Sequence, residues 1–256
     1  VYIASPHSEH HAHVTLALSA NKPVLVEKAF TRNAREARDI VQLAREKQLL
    51  LVEAMWTRFL PHIDIVRQLL ETDELGEITT VIADHGQYMT FPSEHRLQNP
   101  ALAGGALLDM GIYPLSFMSM VLGTPSQIHT NATLTSTGVD ETLSAILRWP
   151  SAHGILNTSQ KVKTPTTATI SGTHARIEIG GRFYAPSDVR LIYTDGTTLQ
   201  AHPTTAAGLA YEAAEFARLL AAGATESPLM PLDESISIMA TMDTMRAQVG
   251  ITYPGE

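Results

Sequence analysis

The sequence predicts a composite fold, α/β followed by α+β: half of a doubly wound parallel sheet, then a domain built on a large, mostly antiparallel sheet. Two observations carry this. From Val1 to about Glu53, short apolar strands alternate with helical stretches, the pattern of a parallel sheet with right-handed crossovers. From Ile78 onward the apolar residues recur at every second position between Gly, Pro and Asp turns, as in antiparallel strands with one buried face.

Taken in order, VYIA is a buried-type strand, and Ser5-Pro6 supplies an N-cap and first turn for a helix from about Pro6 to Ala20. PVLVE is a second strand, Asn33 to Lys47 a helix, and LLLVE a third strand. A loop over Ala54–Leu60 leads to a helix opened by Pro61 and running to about Thr72. Strands follow at ITTVIADHGQYM, IHTNATLTS, TLSAILRWP, HGILNTSQKV, TATISGT, ARIEIG and VRLIYT. One helix, about Met110–Leu122, interrupts them, and two close the chain at about Leu209–Ala221 and Asp233–Gly250. The division expected is residues 1–54 and 55–256, with the last helix packing back on the first part.

Of 256 residues, 44% are hydrophobic and 17% charged, enough for one large or two modest cores. The net charge is −8 and Lys and Arg form no cluster, which argues against a nucleic-acid or anionic-membrane partner. No apolar run approaches the roughly 20 residues of a spanning helix. With no cysteine there is no thiolate chemistry, and a soluble, cytoplasmic protein is expected.

Three stretches carry candidate chemistry. In PVLVEKAF an acid and a base, Glu27 and Lys28, end a buried strand, at the edge where parallel sheets gather ligands; a solvated ion pair is the plain alternative. In HSEHHAH, His7 shares a helix face with His10 or His11, but no third anchor or HExxH order completes a metal site, and no metal is expected. In GGALLDMGIYP, Asp109 and Tyr113 lie four apart and project from one helix face; the alternative is a capping aspartate and a packing tyrosine.

These stretches resemble, in order and spacing across the whole chain, the glucose–fructose oxidoreductase/inositol dehydrogenase (Gfo/Idh/MocA) family. SPHSEHHAHVTLALSANKPVLVEKAF is similar to the second half of its Rossmann nucleotide-binding domain, where T-P-N-x-x-H precedes a helix and EKP. GGALLDMGIYP resembles its GGG-x-L-x-D-x-G-x-H segment, and MPLDESISIMATMDTMRAQVGITYP its C-terminal helix. WTRFLP and DMGIYP point to the branch of dimeric dihydrodiol dehydrogenases and NADP-dependent sugar dehydrogenases.

The resemblance implies a hydride transfer between NADP or NAD, with NADP favoured by the branch, and a secondary alcohol or hemiacetal carbon of a sugar or cyclic trans-diol. It assigns catalysis to Lys28, Tyr113 and Asp109, with Asp109 orienting the substrate or Lys28. Cofactor contacts fall on Ser5, Pro6, His7, His10, Glu27, Lys28, Trp56 and Arg58. Two positions depart from the pattern: Ala29 replaces the proline of EKP, and Tyr113 replaces the histidine. A tyrosine needs help to act as a base, since its ordinary pKa is about 10; a neighbouring Lys28 ammonium is expected to lower it. The family's first strand, Gly-rich phosphate turn and ribose-reading residue are expected to precede Val1, and a chain starting at Val1 would leave an open sheet edge. The alternatives are a non-enzymatic nucleotide- or sugar-binding member, an inactive fragment, and a metal-dependent hydrolase built on the histidines. A homodimer through the open face of the large sheet completes the expectation.

Overall fold

The computed structural model describes residues 1–89, 91–203 and 208–256. The first sheet is parallel, ordered β1 (Tyr2–Ile3), β2 (Val24–Glu27), β3 (Leu51–Ala54), with α1 (His10–Ser19) and α2 (Ala34–Lys47) as crossovers. Val24, Val26, Leu51 and Val52 are buried, the all-apolar pattern of strands covered on both faces. Asn33 caps α2 by accepting the Glu36 N–H at 2.9 Å, and left-handed Gln48 ends it. Along the outer side of β1, Val1, Tyr2 and Leu16 are exposed.

Ser5 does not cap α1. A 3₁₀ turn, His7–Glu9, comes first, and the Ser5 hydroxyl pairs with His13 Nδ1 at 3.0 Å instead. The Ala54–Leu60 loop also winds into a 3₁₀ turn, Trp56–Phe59, before α3 (Pro61–Glu71).

The second sheet has eight strands: β4 (Ile78–Gly86), β5 (Gln127–Leu134), β6 (Asp140–Arg148), β7 (His153–Ser159), β8 (Ala168–Gly172), β9 (Ala175–Ile179), β10 (Val189–Tyr193) and β11 (Thr198–Ala201). Their order is β11-β10-β9-β8-β4-β7-β6-β5, antiparallel throughout except between β4 and β7. Strand β11 was not expected, because Thr-Leu-Gln-Ala carries almost no alternating signal and is held by its hairpin with β10.

One face of this sheet is covered. A π-helical turn, Leu107–Gly111, continues into α4 (Ile112–Leu122), and both pack on β4 and β7. The helical run thus starts before the expected Met110, and Asp109 lies inside it rather than capping it. The stretch Pro100–Leu122 is long and apolar enough to cross a membrane, contrary to the expectation that no run approaches that length; 78% of it is buried in the fold. The last helix, α6 (Leu232–Val249), packs on β5 and reaches back to α2 and β3. Helix α5 (Leu209–Ala221) packs on the Trp56–Phe59 turn.

Among the described residues the opposite face carries no helix. Ile82, Ile155 and Ile146 occupy one row across β4, β7 and β6, paired in register, and each is at least 44% exposed. The next row, Asp84, Asn157, Ser144 and Asn131, is polar.

Candidate active site

The carboxyl end of β2 places Glu27 and Lys28 beside the loop after β1. Facing them across a cavity of about 330 Å³ are Arg96 and Asp109 from the second domain, with Ser5, Pro6 and His7 on the near wall. A larger hollow of about 670 Å³ lies far off along the second sheet, between Glu178, Asp188 and Arg190. Its charges are already paired, Arg190 with Glu178 and Asp188 with His202, so the smaller cleft is the chemical one.

Lys28 Nζ donates to the main-chain carbonyl of Asp109 at 2.7 Å and lies 3.4 Å from its carboxylate. It also sits 4.9 Å from the centre of the Tyr113 ring. Burial pulls its pKa down, but Tyr113, Asp109 and Glu27 outweigh burial and push it above the ordinary lysine value. Arg96 Nη2 donates to the same carboxylate at 3.1 Å. Burial would raise the Asp109 pKa; Lys28 and Arg96 together hold it far below the carboxylate range. Asp109 is therefore a fixed anion and Lys28 a fixed cation.

Tyr113, at the first turn of α4, accepts a hydrogen bond from Trp56 Nε1 at 3.0 Å. Its ring lies against His85 and Tyr184, with centroids 5.2 and 4.8 Å away. Burial raises the phenol pKa above its ordinary value and is only partly offset by Lys28 and Trp56. The expected net lowering by Lys28 is thus corrected: the lysine pulls in the anticipated direction, and desolvation wins. His7 and His85 are each pushed down to about 4, chiefly by burial, so both rings are neutral near pH 7.

The structure gathers Ser5, Pro6, His7, Glu27, Lys28 and Asp109 at the cleft, with the Tyr113 ring against Lys28 and Trp56 hydrogen-bonded to the Tyr113 hydroxyl. It does not bring Arg58 there. That guanidinium is buried and donates to Ser116 Oγ at 3.0 Å and to Glu234, lining a separate pocket near Leu229. His10 is also engaged elsewhere, its ring nitrogens 2.9 Å from the carbonyls of Ala29 and Ser5, tying the ends of β1 and β2. The His7 and His10 rings meet edge to face, centroids 5.8 Å apart, but no group of three or more His, Asp or Glu that could hold a metal exists among the described residues.

Four participants went unread in the sequence: Arg96, His85, Tyr184 and Glu212. Arg96 sits in a loop without periodic pattern. Glu212, on α5, is 3% exposed, and its Oε2 has no hydrogen-bond partner among the described residues. Burial and nearby Glu27 raise its pKa to about 8. Glu27 itself accepts from the Tyr2 hydroxyl.

Residues 1–55 match the oxidoreductase family with an NAD-binding Rossmann fold, and residues 63–178 the GFO/IDH/MocA C-terminal domain. D-xylose 1-dehydrogenase (NADP(+)) of Hypocrea jecorina is 36% identical over 288 residues, covering 99% of this chain and 73% of the relative. The chain belongs to the GFO/IDH/MocA oxidoreductase family. Trans-1,2-dihydrobenzene-1,2-diol dehydrogenase of Bos taurus is 35% identical over 264 residues, with 99% and 78% covered. Among solved structures, an aldose-aldose oxidoreductase from Caulobacter crescentus superposes with a TM-score of 0.88 at 20% identity, covering 98% of this chain and 76% of that one. A 3-ketoreductase from Actinomadura kijaniata, in complex with TDP-benzene and NADP, gives 0.81 at 22% identity, covering 97% and 77%. Both of these show the shared fold.

Proposed function

We propose that this family oxidoreductase moves a hydride between NADP and a secondary alcohol or hemiacetal carbon of a sugar or cyclic trans-diol, with Lys28, Tyr113 and Asp109 handling the proton. The observation that carries the reading is the buried contact of Lys28 with Asp109 and the Tyr113 ring at the carboxyl edge of a parallel sheet. The relatives that act on D-xylose and on dihydrobenzene diols support the substrate class.

The residues fit a nicotinamide cofactor at this edge. Glu27 presents a carboxylate at the rim for ribose hydroxyls, and the Ser5–His7 turn lines the same wall. When bound, the nicotinamide supplies the hydride acceptor or donor. The chain's own task is then the proton. Asp109 fixes the Lys28 ammonium through its carbonyl and carboxylate, and that ammonium stabilises negative charge developing on the substrate oxygen. Tyr113 accepts from Trp56 and keeps its own proton free to exchange with that oxygen. Oxidation requires the phenolate to accept the substrate's proton, so it is favoured as pH rises; reduction uses the phenol, which donates its proton and becomes the phenolate.

The reading extends to assembly and location. The in-register Ile82–Ile155–Ile146 row on the helix-free face suits a two-fold partner presenting the same surface, a homodimer burying on the order of 1,600 Å² in total. A cysteine-free chain accords with the cytoplasm. The test of function is reduction of NADP⁺ and NAD⁺ by the full-length protein over a panel of aldoses and cyclic diols. Turnover with at least one is expected. Cofactor binding without turnover on any would favour the non-enzymatic reading.

A further inference from the structure

We propose that Asp140 and Tyr253 are positioning residues, which grip the Gly104–Leu107 turn at its two ends and thereby set where Asp109 meets Lys28. The inference rests on the dehydrogenase reading of the cleft. Asp140, at the start of β6, is fully buried, and its Oδ2 accepts the Leu107 N–H at 2.5 Å, the first residue of the π-helical turn. Its Oδ1 has no hydrogen-bond partner among the described residues. That oxygen stands where Gly105 has no side chain: a Cβ there would lie 2.1 Å from it, and the φ of +112° also demands glycine. At the other end of the turn the buried Tyr253 hydroxyl donates to the Gly104 carbonyl at 2.8 Å. The Tyr253 ring carries the Arg246 guanidinium 4.6 Å from its centre, and Arg246 is in turn held by Asp243 and Glu256.

This knot controls chemistry because Lys28 is held by the backbone of the gripped element. Its ammonium donates to the Asp109 carbonyl, two residues beyond Leu107, so a displaced turn carries away the group that fixes the charge. The same turn anchors the loop bearing Arg96, since the Gly105 N–H donates to the Leu97 carbonyl at 2.9 Å. Neither Asp140 nor Tyr253 lines the cleft.

The experiment follows Lys28 directly. Full-length protein is pulse-labelled with acetic anhydride across pH, and modification at Lys28 is read by peptide mass spectrometry against remote Lys47. The groups facing Lys28, namely Tyr113, Asp109, Glu27 and Arg96, set its midpoint. Tyr253→Phe, which keeps the ring on Arg246, and Asp140→Ala are each expected to move that midpoint down by at least ~0.5 pH unit. Each is also expected to lower kcat at least ~5-fold with the cofactor KM unchanged. Asp140→Asn, which keeps an acceptor for Leu107, should restore both. An unmoved Lys28 midpoint in folded Tyr253→Phe would overturn the proposal. A shifted midpoint in a protein whose parent shows no turnover would sustain the positioning and overturn the dehydrogenase reading.

Discussion

Each face of the eight-stranded sheet departs from the usual rule of burial at one place, against an otherwise apolar covered face and a largely polar open one. On the covered face, β4 and β7 bury polar groups: His85 is 2% exposed, and the Thr158 hydroxyl donates to the His85 carbonyl at 3.0 Å. That face backs the cleft, where Lys28, Asp109 and Tyr113 lie within contact. On the open face the same strands expose apolar Ile82, Ile155 and Ile146. Buried polar groups are retained only when paired or used, and contiguous exposed apolar groups mark contact surfaces. The proposed function assigns chemistry to one side of this sheet and association to the other, and each can be broken without the other.

The largest expected effect is on the chemical side. Lys28→Met should leave the fold intact and lower turnover by at least ~10²-fold, the scale of losing one charge-stabilising group; steady-state kinetics with circular dichroism check it. Activity within a few-fold of the parent would remove Lys28 from the mechanism. On the association side, Ile155→Asp puts a charge in the middle of the isoleucine row and should weaken the dimer ~10²-fold. Light scattering at micromolar concentration should give twice the chain mass for the parent and the single mass for the variant. A monomeric parent, or a dimer indifferent to the change, would separate the open face from assembly.

A smaller effect distinguishes the two ends of the proton path. Tyr113→Phe keeps the ring against His85 and Tyr184 but removes the phenol. Oxidation should fall ~10-fold or more, and the residual rate should climb less steeply with pH than in the parent. A superimposable pH–rate profile would leave Tyr113 as packing alone. The smallest effect concerns Glu212, whose pKa is raised from 4.5 to about 8 by burial and by Glu27. Above pH 4.5 the unfolded chain releases this proton while the folded chain keeps it, so the group's contribution falls as pH rises toward 8. Glu212→Gln should therefore gain stability relative to the parent across that window, on the order of 2 kcal/mol at its upper end. Urea denaturation at pH 4.5 and 8 reads the difference, and parallel curves would contradict it.

The periodic parts of this fold were legible. Alternating apolar residues located β4 through β10, and the Asn33 cap marked the start of α2. What escaped the sequence is where periodicity ends. The π-helical turn at Leu107–Gly111 departs from a 3.6-residue repeat, and the placement of α5 on the Trp56–Phe59 turn depends on tertiary contacts. Site residues followed the same division. Lys28 directly follows a regular strand, whereas Asp109 lies inside the π-helical turn, and it was the family resemblance rather than periodicity that put the two side by side, where the structure has them. Arg58 was misplaced because it sits on a 3₁₀ turn whose outward direction no pattern fixes; the partners that claim it, Ser116 and Glu234, are 58 and 176 residues away. Arg96, by contrast, entered the cleft from an irregular loop.

The central claim is that Lys28 and Tyr113 serve one proton transfer, and a double-mutant cycle measures that most directly. Lys28→Met, Tyr113→Phe and the double variant are compared with the parent in kcat/KM for the best sugar or diol substrate. Residues that act as a unit are strongly non-additive. The account predicts a double variant no more than a few-fold slower than Lys28→Met alone. A double variant whose loss equals the product of the two single losses would show independent roles and contradict it.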